Sequence, residues 1–76
     1  MNLKKMEVNI KEDEAIDAIT ADMVKTIQPG EEIDLPNGYT LYHYFDDEFI
    51  CLKDKDEEEI YCVQYSGNEV VLTSLI

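Results

Sequence analysis

The chain has 76 residues, a net charge of −12 at pH 7 and 45% hydrophobic residues, near the lower size limit for a domain that folds alone. The hydrophobic fraction excludes a disordered acidic tail and the length excludes a second domain, so we expect residues 1–76 to form one compact domain. All six basic residues are lysines. The absence of arginine argues against direct binding to nucleic acid or to an anionic membrane.

The N-terminal segment, MNLKKMEVNI, lacks the apolar run of about 7–15 residues that is typical of a signal peptide. No stretch approaches the ~20 apolar residues of a membrane span, so we expect a cytoplasmic protein. Within this segment Met6, Val8 and Ile10 alternate with polar residues. That alternation fits either a short half-buried strand or an irregular lead-in.

A helix is predicted from about residue 12 to residue 28, where the spacing of apolar residues becomes helical. Asp13 is its predicted N-cap, Glu14 and Asp17 lie where the helix dipole favours anions, and the sequence QPG ends it. Lys25 lies near its C-terminal end. One apolar stripe is formed by Ala15, Ile16, Ile19, Met23, Val24 and Ile27.

Five short strands are predicted after the helix, because β-branched and aromatic segments alternate with tight-turn signals. The segments are EIDL, YTLYHYF, EFICLK, EIYCVQY and EVVLTSLI. They predict an α+β fold in which one N-terminal helix packs on an antiparallel meander of four to five strands. This order resembles cystatin packing at the level of architecture, but the inhibitory motif QxVxG is missing.

The stretch KDKDEEE, residues 53–59, is predicted to be the tip of a hairpin between EFICLK and EIYCVQY. This pairing places Cys51 opposite Cys62, although a shift of one residue would turn every side chain to the other face. The two cysteines are too few for a disulfide scaffold and lie outside any CxxC spacing, so we expect thiols that pack as small hydrophobic side chains.

Aromatic residues cluster in YTLYHYF, residues 39–45. A regular strand would place Tyr39, Leu41, His43 and Phe45 on one side and Thr40, Tyr42 and Tyr44 on the other. Tyr42 and Tyr44, which precede the acidic turn DDE, are candidate interface anchors because tyrosine is enriched at binding hot spots. Alternatively, they simply cover the second face of the sheet.

No catalytic motif is present, and we expect neither an enzyme nor a cofactor. His43 is the only histidine, without an assignable nucleophile, and is expected to make a local hydrogen bond within the sheet. The run DKDEEE does not form a calcium loop, because position 6 from Asp54 is Glu59 where an EF-hand requires glycine. We therefore predict no dedicated metal site.

Acidic residues recur along the whole chain, including the i,i+4 pair Asp13 and Asp17, whose repulsion costs roughly 0.2–0.5 kcal/mol. Such a surface steers a basic partner. In size, charge, lack of arginine and α+β pattern the chain resembles the small acidic inhibitors of phages and mobile elements, which include DNA-mimicking uracil-DNA glycosylase inhibitors, antirestriction proteins and anti-CRISPR proteins. No sequence motif is shared with them.

The resemblance implies a non-catalytic inhibitor that occupies the basic nucleic-acid-binding surface of a host enzyme or defence effector. An adaptor that binds its partner through a sheet edge or an apolar patch is the alternative, and a self-assembling subunit is a third. The sequence leaves the oligomeric state open. The predicted partner-binding residues are Tyr42, Tyr44, Asp46, Asp47, Glu48, Asp54, Asp56, Glu57, Glu58 and Glu59.

Overall fold

The computed structural model of the chain describes residues 11–46 and 48–76, and within them two helices precede a five-stranded open sheet. Each strand is antiparallel to the next, in the order β1-β2-β3-β4-β5. The predicted α+β meander is therefore confirmed, while Met6, Val8, Ile10 and Asp47 lie outside the described residues. The strands are β1 (Glu32–Asp34), β2 (Thr40–His43), β3 (Ile50–Lys53), β4 (Glu59–Ser66) and β5 (Glu69–Ser74).

The predicted single helix is instead two helices, α1 (residues 11–17) and α2 (Ala21–Thr26). Thr20 is extended at φ −110° and ψ 157°, and its hydroxyl accepts a hydrogen bond from the backbone N–H of Met23 at 3.1 Å. The Met23 sulfur in turn accepts from the Thr20 N–H at 3.4 Å. This reciprocal cap starts a new helix while leaving the apolar stripe on one side.

The predicted helix ends are partly corrected by this break. Asp13 lies within α1 rather than at an N-cap, and Asp17 lies at the C-terminal end of α1, where the helix dipole disfavours an anion. Lys25 does lie in the last turn of α2, as predicted, and the helix ends at Thr26 with Ile27 as its extended C-cap, shortly before Pro29 and Gly30. Neither helix in the described part of the chain is long and apolar enough to cross a membrane.

The core lies between the two helices and one face of the sheet. Leu41 pairs with Leu52 on adjacent central strands, and both are fully buried together with Ala15 from α1. A bulge in β4 inserts Ile60 between the residues that pair with Leu52 and Lys53, and Ile60 joins this core. The predicted stripe is confirmed as the helical side of the core, because Ala15, Ile19, Val24 and Ile27 are buried.

Successive connections of the meander lie at opposite ends of the sheet. The β2–β3 turn (residues 44–49) lies beside the loop after α2, since the Gly30 N–H donates to the His43 carbonyl at 2.8 Å. The β3–β4 turn (residues 54–58) lies beside the 3-10 turn Pro36–Gly38, where a Cβ on Gly38 would stand 3.2 Å from the Cβ of Lys55. These two acidic turns are therefore separated by the length of β3.

Candidate protein-binding surface

Three aromatic rings meet where β2 and β3 run into their turn. Tyr42 and Tyr44 pack edge to face, with ring centroids 5.0 Å apart and an interplanar angle of 82°. The ring of Phe49 lies 5.4 Å from that of Tyr44, tilted by 35°. The hairpin itself fixes this arrangement, because the Tyr44 N–H donates to the Phe49 carbonyl at 3.0 Å.

The three rings line an open concavity of about 480 Å³ together with Phe45 and Asp46; we call this set of five residues the aromatic concavity. Phe45 is 74% exposed and lines the concavity with Tyr42 and Tyr44, so the alternation of a regular strand, which would place it on the side of Leu41, does not extend to it. β2 ends at His43, and the strand alternation no longer applies two residues later. Phe45 and Phe49 were not predicted as surface-site residues, because both were assigned to strand segments, YTLYHYF and EFICLK, whereas β2 ends at His43 and β3 begins at Ile50.

The carboxylates of the β2–β3 turn point to different places. Asp46 is exposed and lines the aromatic concavity. Glu48 lines a second concavity of about 320 Å³, whose wall includes Val63 and Tyr65. Only Asp46 is thus shown beside Tyr42 and Tyr44, while Asp47 falls outside the residues that the structure describes.

The Lys53 ammonium group lies over the Tyr42 ring, with its Nζ atom 4.5 Å from the ring centroid. Strand register explains the contact, because Tyr42 pairs with Cys51 and Lys53 is the next residue on the same face of β3. A lysine over an aromatic face is a favourable cation–π contact. The chain therefore supplies its own cation to Tyr42.

The β3–β4 turn is shaped by Asp54. Its carboxylate accepts hydrogen bonds from the N–H groups of Asp56 and Glu58, both at 2.9 Å, and its carbonyl accepts from the Glu57 N–H at 2.9 Å. Asp54 therefore stabilises the turn, as aspartate commonly does. The side chains of Asp56, Glu57 and Glu58 are exposed at the tip, and Glu59 is half-buried on β4.

The predicted partner-binding residues that the structure describes do not form one continuous patch. Tyr42, Tyr44 and Asp46 lie together, whereas Glu57 and Glu58 lie at the opposite end of the sheet. The four residues of β3 span about 13 Å at roughly 3.3 Å per residue. A single partner would have to extend along β3 to contact both turns.

His43 and the cysteines have local surroundings. His43 Nδ1 lies 3.0 Å from the Ile27 carbonyl, and this hydrogen bond joins the sheet to the C-cap of α2. The local hydrogen bond predicted for this sheet histidine is therefore present. Its Nε2 is buried and has no hydrogen-bond partner among the described residues. Cys51 pairs with Cys62 in register, as predicted, and both are free thiols. Burial raises the pKa of the Cys51 thiol above its ordinary value of 9.0, and Lys53 opposes the increase.

Two further features bear on metal binding and on ionisable side chains. Within residues 11–46 and 48–76, no three His, Cys, Asp or Glu side chains are grouped so as to hold a metal ion. The Tyr61 hydroxyl donates to the Glu12 carboxylate at 3.1 Å, and burial followed by this bond raises the pKa of Tyr61. This contact joins α1 to the sheet.

Comparisons with known proteins give no relative. No protein-family model, curated protein or solved structure matches the chain. The charge of the chain and the geometry of this surface are therefore the basis for inferring its function.

Proposed function

We propose that the protein is a non-catalytic acidic inhibitor that binds the basic nucleic-acid-binding surface of a nucleic-acid enzyme or defence effector. The observation that carries the proposal is the aromatic concavity, with Asp46 at its edge, on a chain of net charge −12 that has no arginine. Aromatic residues are enriched at protein interfaces, and a carboxylate beside them gives a basic partner a complementary charge.

Charge and shape have separate roles in this proposal. The large excess of carboxylates attracts a basic surface from a distance and accelerates association, an effect that salt weakens. Tyr44 and Phe45 then supply apolar area that loses water on contact, because aromatic side chains dominate the energetics of interfaces. Inhibition follows because the partner's groove cannot hold the protein and nucleic acid together.

The separation of the acidic turns is compatible with such a groove. The ~13 Å between them corresponds to about four base-pair steps along the axis of a DNA duplex, at a rise of roughly 3.4 Å per step. A groove that follows a nucleic-acid backbone presents cations over that distance. Asp46 at one end and Glu58 at the other would then contact the same basic track.

The proposal is tested by capturing partners from a bacterial lysate with the tagged protein and identifying them by mass spectrometry. Parallel captures contain either added salt or competing DNA and RNA. Capture of one nucleic-acid-binding protein that is lost under both conditions supports the proposal. A partner that resists both salt and nucleic acid contradicts it.

Matched charge reversals then locate the interface on the captured partner. Asp46→Lys and Glu58→Lys change one exposed carboxylate at each end of the sheet, and Asp17→Lys makes the same change at an exposed carboxylate on α1, outside both turns. We expect the first two to slow association and reduce its salt dependence more than the third does. Equal effects of all three would show that only net charge matters.

The adaptor alternative is favoured by one observation, the composition of edge strand β5. Among the described strands β5 pairs only with β4, and Val71 on it is 42% exposed. An exposed edge can accept a strand from another protein. Under this alternative, binding persists in high salt and Val71→Lys abolishes it, whereas Asp46→Lys leaves it unchanged.

A further inference from the structure

We propose that the aromatic concavity receives an arginine side chain of the partner. This inference rests on the proposed function for the source of the arginine, but the receptor itself is defined by side chains of this chain. Tyr44, Phe45 and Phe49 would contact the guanidinium and its aliphatic stem, and the Asp46 carboxylate would pair with its charge.

Ring geometry supports a cation rather than a purely apolar occupant. Tyr42 stands nearly perpendicular to Tyr44, and Phe49 is tilted against Tyr44, so the rings form walls of an open concavity instead of a closed stack. The face of an aromatic ring carries negative potential and attracts cations. Phe45, being largely exposed, can cover an inserted side chain without disturbing the core.

Charge excludes the main competitor for an aromatic surface, a nucleic-acid base. Bases stack on exposed aromatic residues, but proteins that use this mode also bind the phosphates through a positively charged groove. Here the charged residue that lines the concavity is Asp46, Lys53 already contacts Tyr42, and the whole chain carries −12. Phosphates would be repelled, whereas a cation is attracted by both the rings and the carboxylate.

The lysines of the chain favour arginine as the external ligand. Lys53 already stands over Tyr42 at 4.5 Å, and Lys25 lies 5.4 Å from the Tyr65 ring centroid. Of the four rings in the concavity, only Tyr42 has such a contact within the described residues, which leaves Tyr44, Phe45 and Phe49 for an external cation. A planar guanidinium stacks on aromatic faces and forms two hydrogen bonds with one carboxylate, and an ammonium does neither as well.

The test is an NMR titration of the folded protein with N-acetyl-arginine amide, N-acetyl-lysine amide and N-acetyl-citrulline amide. Citrulline keeps the shape of arginine but lacks its charge. We expect arginine to shift the signals of residues 44–49 saturably, with at least about three-fold tighter binding than either of the other compounds, a ratio in the range of exposed cation–π contacts. Equal binding of citrulline, or of lysine, would overturn the assignment of a guanidinium site.

Variants identify the residues responsible. Phe45→Ala and Asp46→Asn should each weaken arginine binding about two- to five-fold, as expected for exposed cation–π and ion-pair contacts. Asp17→Asn, which removes an equal charge from α1, should leave binding unchanged. Both tested side chains are exposed, and amide spectra outside residues 44–49 verify that the fold is intact. An equal loss in Asp17→Asn would indicate non-specific attraction and overturn the proposal.

The two proposals fail in different ways. Arginine binding by a protein that captures no nucleic-acid-binding partner would support the arginine site and contradict the inhibitor function. Capture of such a partner, without loss of affinity in Phe45→Ala or Asp46→Asn, would support the function and overturn the site.

Discussion

Glu57 holds a backbone conformation that suits glycine better than glutamate. Its φ is +65° at the tip of the β3–β4 turn, and the left-handed region costs an L-residue roughly 1–2 kcal/mol. Replacement by glycine removes this cost but loses about 0.5–1 kcal/mol through the greater freedom of the unfolded chain. We therefore expect Glu57→Gly to raise the free energy of unfolding by about 0.5–1 kcal/mol.

Thermal unfolding followed by circular dichroism measures this change. For a domain of this size, about 1 kcal/mol corresponds to a Tm shift of roughly 4–8 °C, so Glu57→Gly should raise Tm by about 2–8 °C. Glu57→Gln is the matched control, because it removes the charge and retains the side chain in the left-handed conformation. If Glu57→Gly is no more stable than Glu57→Gln, backbone strain at the tip is refuted and relief of charge repulsion explains the gain.

Three further predictions concern the cap of α2, the burial of Cys51, and the hydrogen bond that joins α1 to the sheet. Thr20→Ala removes the hydroxyl that caps α2 and should lower the free energy of unfolding by about 1 kcal/mol in urea titrations, whereas Thr20→Ser should restore most of it. Thiol alkylation should modify half-buried Cys62 before Cys51, which is fully buried and should react only at the rate of local or global unfolding; equal rates would contradict its burial. Because the pKa of Tyr61 is raised in the folded state, its contribution to stability is complete below its ordinary pKa of 10.0 and is lost as pH rises through the folded-state pKa. Tyr61→Phe should therefore weaken the decline of the urea midpoint above about pH 10, and an unchanged decline would assign it to other groups.

The sheet was predictable because its signals are local. Alternation and turn residues define each strand, and Cys51 faces Cys62 as predicted, although the sequence left a shift of one residue open and did not indicate the bulge at Ile60. The helix break was not predictable from periodicity, since Ala15 of α1 and Val24 of α2 are both buried and Ile19, between the two helices, is buried as well. The cap at Thr20 uses a methionine sulfur in place of the usual glutamate or glutamine at the third helical position, so the familiar sequence signature is absent.

The candidate surface was only half predictable for a different reason. Tyr42 and Tyr44 follow from strand alternation, but Phe45 and Phe49 belong to a turn, where side-chain direction depends on the end of β2 and not on a period. The separation of the acidic turns follows from the antiparallel order once the strands are known. The sequence predicted that KDKDEEE and the β2–β3 turn form one binding footprint, but the two turns lie at opposite ends of the sheet.

Several carboxylates have a local structural role, which narrows the set that needs a functional explanation. Glu12 accepts from Tyr61, Glu14 from Asn37, Glu31 from the Gln28 N–H, and Asp54 shapes its own turn. The exposed carboxylates at the ends of the sheet instead add self-repulsion to a domain with little stability to spare. A solvated turn would explain their exposure, but it would not explain why one of them, Asp46, borders four aromatic residues. Recognition of a cation explains both the charge and the rings, and for this reason the aromatic concavity rather than the most acidic turn is the centre of the proposed interface.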